Sequence, residues 1–494
     1  MKKMKKIIKN SLRIVACMIL FTSCDDYLDL QPEDKFIEEQ VFSSEASVQN
    51  VINGVYMDMA KASTYGGHLT MSTVDVLAQK YFAFSDSHAY YDLAHYNYDQ
   101  TGVKNTFEAI WTNMYARILN INKAIENLEL DTANITPEKL NILKGEMFGL
   151  RAMLHFDLLR LFGPVYSINS GAISIPYYDE PTTDIKPLLP ATEVMEMVLN
   201  DLSVSIGLLE NDPVREYGKI DYSEEDDDTD FNGTDYYRYR NLRFNYFSAK
   251  ALSARANLYA GNNQDALIAA KEVIDEGMQW FEWVDPDDVI SAGDNADRVF
   301  SSEVIFALQN VELYDRQRAY FAAGLVQNSI LAPASFSGLS RLDETFDGNL
   351  NDFRYSPSWK VPTNSTKAYE TFLKFQDVGP NFNFRYMQPL VRMSEMYLIV
   401  AETEADLTMA TVYLNTLREH RGLANLDPTL IDLDQELLKE YKREFYGEGQ
   451  LFYFYKRNNM SSIEDGSDTT GEIMMDETTY VLPLPESETD YRED

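Results

Sequence analysis

Residues 244–277 read FNYFSAKALSARANLYAGNNQDALIAAKEVIDEG, two helical runs joined by a turn. Phe244 to Ala260 is alanine-rich, Gly261-Asn262-Asn263 breaks the period, and Asp265 to Gly277 resumes it. Small residues Ala249, Ala251, Ala254, Ala266, Ala269 and Ala270 let two helices approach closely. Ala254 and Ala266 are twelve apart, the spacing of two small positions in a tetratricopeptide repeat. A hairpin of this kind cannot bury its apolar face alone and needs a stacked neighbour.

Neighbours are present. Residues 45–62 place Val48, Val51, Ile52, Val55, Tyr56 and Met59 at helical spacing, and residues 105–129 align Phe107, Ile110, Trp111, Met114, Ile118, Ile121 and Ile125. Pro137 opens a further helix that stops at Gly163-Pro164. Residues 191–210 form another, Val391 to Arg421 repeats the hairpin theme, and a last helix is predicted over 434–456. The pattern predicts a scaffold over 45–278 and a helical portion over 391–494. Two stretches break the rhythm: 64–104, dense in tyrosine, and 279–390, rich in Gly, Pro and Asn. Long irregular segments in a compact fold usually carry function, so both are candidate ligand surfaces.

The hydrophobic content of 45% is ample for a large core in 494 residues. Residues 1–23 carry five lysines and Arg13, then an apolar run from Ile14 to Phe21, then Thr22 and Ser23 before Cys24. Eight apolar residues are too few to span a hydrocarbon layer of about 30 Å, so this is a secretory leader. Cys17 is lost with it and Cys24 remains alone, which excludes a disulfide within the exported chain. Residues 24–44 read as a tether. Removing the leader takes six cations and no acid, moving the formal net charge from −36 to −42. Such a surface repels nucleic acid.

Cys24 after small residues resembles the lipobox of bacterial lipoproteins, although Phe21 stands where Leu is preferred. Asp25 and Asp26 resemble the surface-export signal of Bacteroidetes lipoproteins. Further along, Trp111, Tyr115, Ile118 and Asn122, then Gly145-Glu146, Leu150-Arg151-Ala152 and Phe156-Asp157-Leu158, resemble successive helices of the SusD/RagB family. Ala254-Arg255, Arg392, Glu395, Ala401-Glu402, Arg421-Gly422, Arg443-Glu444-Phe445, Glu448-Gly449 and Leu482-Pro483-Leu484-Pro485 continue the resemblance in order. Tyr441 stands where that family usually begins a Glu-Arg pair, and the loop around Asp406 is short.

The resemblance implies an all-α fold of four tetratricopeptide-like helix pairs supporting an irregular, loop-rich ligand-binding portion. It implies an outer-membrane lipoprotein, anchored by lipid on Cys24, that captures oligosaccharide or polysaccharide for a SusC-like TonB-dependent transporter. Peptide or glycoprotein capture is the alternative within the family.

Sugar capture needs flat rings and hydroxyl partners. Tyr81, Tyr90, Tyr91, Tyr96 and Trp359 are the expected stacking residues, with Asn97, Asp99, Gln100 and Arg316 as hydrogen-bonding candidates. Any of these rings equally suits a packed core. Asp228, Asp230 and Asn232 fit the first half of a calcium loop, but Tyr239 occupies the twelfth position where a bidentate Glu belongs. The same acidic run reads as a solvated loop. No cofactor is expected beyond a structural calcium. No zinc-protease, nucleophile-elbow or phosphate-loop motif occurs, so the chain is not expected to be an enzyme. Paired carboxylates carry no glycosidase signal among 79 acids, and His155, inside an apolar stripe, is expected to be a buried hydrogen-bonded residue. Other readings are a glycosidase with unrecognised acids and a protein-binding repeat scaffold.

Overall fold

In a computed structural model, residues 41–131, 133–219, 235–336, 339–363 and 365–492 are described. The principal helices are α1 (Glu45–Met59), α2 (Thr101–Leu130), α3 (Pro137–Phe162), α4 (Ala191–Leu208), α5 (Tyr246–Ala260) and α6 (Asn263–Gly277). They start where capping chemistry allows. Ser44 forms a capping box with Ser47, Asn245 accepts from the Ser248 amide, and Pro137 fills the first turn of α3. Gly261, in the left-handed region at φ 81°, closes α5.

Each helix from α1 to α6 packs on the next, and α6 packs on α8 (Met393–Thr403), which packs on α9 (Leu407–Glu419). This continuous stack is an all-α, tetratricopeptide-like array of four pairs. The small motif positions explain the closeness: a Cβ on Gly149 would fall 2.0 Å from the Phe244 ring, and one on Gly145 2.6 Å from Leu209.

Between α6 and α8 lies the irregular portion. Its spine is the antiparallel pair β1 (Val304–Gln309) and β4 (Met387–Arg392), with Leu308 opposite Gln388. The short helix α7 (Leu313–Phe321) and a two-residue ladder, β2 (Trp359–Lys360) with β3 (Thr371–Phe372), complete it. Strand β4 runs directly into α8, so residues 391 and 392, expected to be helical, are sheet. The helix predicted over 434–456 is two: α10 (Leu433–Glu444) and α11 (Leu451–Arg457). Gly447 and Gly449, at φ 74° and 71°, separate them, and a Cβ on Gly449 would sit 2.2 Å from the Leu69 carbonyl oxygen.

The residues that carry the family resemblance are largely welds between elements. Arg151 holds Asp201 through two bonds of 2.7 Å and reaches Asn122, joining α2, α3 and α4. Arg255 pairs with Glu395 at 2.6 Å, joining α5 to α8. Glu444 accepts from Arg354, Arg392 and Arg421, tying α10 to the irregular portion. Buried charges persist only when paired and hydrogen-bonded, as here. His155 is buried as expected: its Nδ1 donates to the Arg151 carbonyl and its Nε2 accepts from the Tyr178 amide. Among the described residues, no helix is long and apolar enough to cross a membrane.

Candidate functional site

The backbone from 82 to 90 runs beside residues 328–332. The Phe82 amide donates to the Ala332 carbonyl at 2.9 Å, the Ala89 amide to the Asn328 carbonyl at 2.9 Å, and His88 Nε2 to the Ile330 carbonyl at 3.3 Å. A third segment joins them, because Lys367 Nζ donates to the Ala323 and Leu325 carbonyls and Ser365 Oγ to that of Ala323. Three loops distant in sequence thus form one surface.

An aromatic cluster sits at this junction. Phe82 is buried and lies nearly parallel to Phe84, with ring centroids 5.9 Å apart and planes at 23°. Tyr369 meets Phe82 edge-on at 6.2 Å, His88 lies at 6.0 Å, and Tyr90 follows His88 at 6.1 Å. Phe84 is 52% exposed, so part of its ring reaches solvent beside Phe82. Hydroxyls and an amide rim it: Ser85 and Ser87 lie 2.7 Å apart, and Asn328 Nδ2 donates to Ser87 Oγ at 2.9 Å. His88 accepts from the Tyr90 amide through Nδ1, and burial holds its pKa below the usual value, so the ring is neutral. Burial and the neighbouring Tyr320 push the Tyr90 phenol up. The rings themselves are uncharged at neutral pH, which suits a neutral ligand.

Of the rings expected to stack on sugar, only Tyr90 borders this face. Tyr81, 1% exposed, packs between Phe321 and Tyr446. Trp359, 4% exposed, stacks on Phe372 at 4.4 Å. Both are core residues, a correction that follows from the β2–β3 ladder and α7 closing over them. Tyr96 is half-buried, its hydroxyl donating to the Leu77 carbonyl at 2.7 Å, and Asn97 locks a turn by donating to Asp92. Tyr91 is half-buried against His95, with ring centroids 4.1 Å apart. Asp99 is exposed, Gln100 caps the start of α2, and Arg316 pairs with Glu312 one helical turn away. Cys24, Asp228, Asp230 and Asn232 lie outside the described residues, and among those described no His, Cys, Asp or Glu group is placed to hold a metal. The expectation omitted Phe84, Tyr320 and Tyr369. The signal for Phe84 was its setting, a ring directly followed by Ser85-Asp86-Ser87.

Two cavities lie away from this face, one of them against α7. One, of 440 Å³, is lined by Gln317, Arg318, Lys360 and Pro362. The other, of 330 Å³, lies beside the 379–387 segment.

Comparison with known proteins bears on the family and the fold. A family model described as starch-binding, associating with the outer membrane, matches residues 26–219, and one described as the SusD family matches 341–492. A SusD-like protein, P25, of Formosa agariphila is 21% identical over 86% of this chain and 85% of its own length. A second, P2, is 27% identical, but the match spans only 37% of its length. The structure of a SusD superfamily protein from Bacteroides thetaiotaomicron has a TM-score of 0.70 at 22% identity, covering 91% of this chain and 98% of that one. A laminarin-binding SusD-like protein gives a TM-score of 0.61 at 20% identity, covering 90% and 97%.

Proposed function

Because this chain belongs to the SusD/RagB family, we propose that it is a cell-surface binding lipoprotein that captures glycans on the Phe84 face and delivers them to a TonB-dependent outer-membrane transporter. The observation that carries the reading is the Phe84 ring, half exposed, stacked on Phe82, with Ser85, Ser87 and Asn328 beside it. A rigid, backed ring offers its face to sugar C–H groups with little ordering cost, while the rim exchanges hydrogen bonds with hydroxyls. The −42 balance of the exported chain leaves neutral polysaccharide as the favoured class over anionic ones. Acylation of Cys24 holds the protein at the membrane, each buried CH₂ contributing about 0.8 kcal/mol.

The test is a glycan array of plant, algal and host polysaccharides, β-glucans included, probed with protein lacking residues 1–24. Calorimetry on the best ligand follows. Phe84→Ala is expected to weaken binding at least tenfold, about 1.4 kcal/mol, without changing the fold. Wild-type protein that binds no glycan, or a Phe84→Ala variant of unchanged affinity, overturns the assignment. Leu325 packs at the same aromatic cluster, which favours peptide capture as the second reading, so a peptide library accompanies the array.

A further inference from the structure

The 330 Å³ cavity beside the 379–387 segment is built differently from the Phe84 face. Its floor is Asn241, 3% exposed, whose side-chain amide makes no hydrogen bond among the described residues. The amide borders the cavity, where a water or ligand would complete its hydrogen bonds. Asp297, 4% exposed, lines the same cavity, and its Oδ1 also lacks a partner while Oδ2 accepts from the Ser301 amide and hydroxyl. Phe382, 38% exposed, lies against Phe384 with centroids 5.3 Å apart and forms an open wall beside Asn383.

The walls are held rigidly. Arg240, adjacent to Asn241, is fully buried and bonded to Asp212 and Glu146, and Asn245 Nδ2 donates to its carbonyl at 2.9 Å. The Phe382 hairpin is pinned by the Gly379 amide, which donates to Asn295 Oδ1 at 2.9 Å. A preorganised amide and a flat ring border a space at the small end of ligand sites, which run about 300–1,000 Å³, with the Asp297 carboxylate sealed behind the wall.

We infer that this cavity is a second saccharide subsite, taking a terminal pyranose of the same glycan that the Phe84 face holds. The amide of Asn241 offers both a donor and an acceptor to neighbouring hydroxyls, and Phe382 covers a C–H face. Helix α7 touches segments next to each site: Tyr314 meets Tyr386 of the 379–387 segment, and Tyr320 lies beside Tyr90. Tyr314 and Tyr320 themselves are six residues apart on α7, about 9 Å of axis at 1.5 Å per residue. A polymer long enough to reach both would make the second contact intramolecularly, raising avidity without a new partner.

The inference rests on the glycan-binding reading above, and one experiment separates their failures. Wild type, Phe84→Ala, Phe382→Ala and Asn241→Ala are titrated calorimetrically with the array's best polysaccharide and with its disaccharide. Phe382 is exposed, so that variant remains informative if Asn241→Ala fails to fold. Two disaccharides per chain are expected, one lost in Phe84→Ala and the other in Phe382→Ala, with polymer affinity falling at least fivefold in Phe382→Ala. One disaccharide per chain, abolished by Phe84→Ala and untouched by Phe382→Ala, overturns the second subsite alone. No glycan binding by the wild type overturns both.

Discussion

Replacing Glu444 by Gln tests the ion-pair core directly. The Glu444 carboxylate is 1% exposed and accepts from three guanidiniums: Arg392 on Oε1, Arg421 on both oxygens at 2.8 and 3.1 Å, and Arg354 on Oε2 at 2.9 Å. The substitution keeps the shape but removes the charge and turns an NH₂ toward a donor. Charge-assisted hydrogen bonds contribute about 1.5–3 kcal/mol each, but these do not add, because every arginine keeps another acid. Arg392 retains Glu448, Arg421 retains Glu303, and Arg354 retains Asp352 and Glu440. The expected loss is therefore that of breaking one buried pair, about 3–5 kcal/mol. Against a total stability of about 5–15 kcal/mol this is a large fraction. Equilibrium unfolding in urea, followed by far-ultraviolet circular dichroism on protein lacking residues 1–24, measures it. The three arginines hold the carboxyl well below the usual carboxylate range despite burial. Its contribution is thus complete above the unfolded value near 4.3 and is lost as pH falls below that toward the folded value, so wild type loses more stability on acidification than the variant. A difference under about 1 kcal/mol at pH 7 would refute the claim that this network welds α10 to the irregular portion.

Trp359→Ala is expected to destabilise by about 3–5 kcal/mol in chemical denaturation through a cavity beside Phe372 and Tyr446, while any glycan affinity of the folded fraction stays within twofold. His155, stacked on Tyr177 and desolvated, has its pKa lowered to about 3. The unfolded chain takes up that proton first, so stability falls as pH drops below about 6.5, by up to about 1.4 kcal/mol per pH unit from this group, and His155→Gln flattens the slope in pH-dependent unfolding. Cys24→Ala is expected to abolish incorporation of labelled palmitate and release the protein from membrane fractions.

The resemblance and the periodicity located the array because helix formation is governed by residues three and four apart. The stripe from Phe107 to Ile125 and the Pro137 and Gly163 boundaries reappear as α2 and α3. The break between α10 and α11 was less legible, since it depends on Leu69, nearly four hundred residues away, pressing on Gly449. Ring exposure was not legible at all. Tyr81, Phe82 and Phe84 are near neighbours of similar character, yet two are core and one faces outward.

The sequence by itself determined the helices, the acidic character and the family, all properties written in composition, local spacing or ordered motifs. Only the tertiary structure decided which aromatic rings are exposed, which acids meet which arginines, and that Asn241 and Phe382 line one cavity. The physical reason is that burial depends on what arrives from elsewhere in the chain. Phe84 is backed because the Phe82 amide meets the Ala332 carbonyl, and Trp359 is covered because Phe372 and Tyr446 reach it.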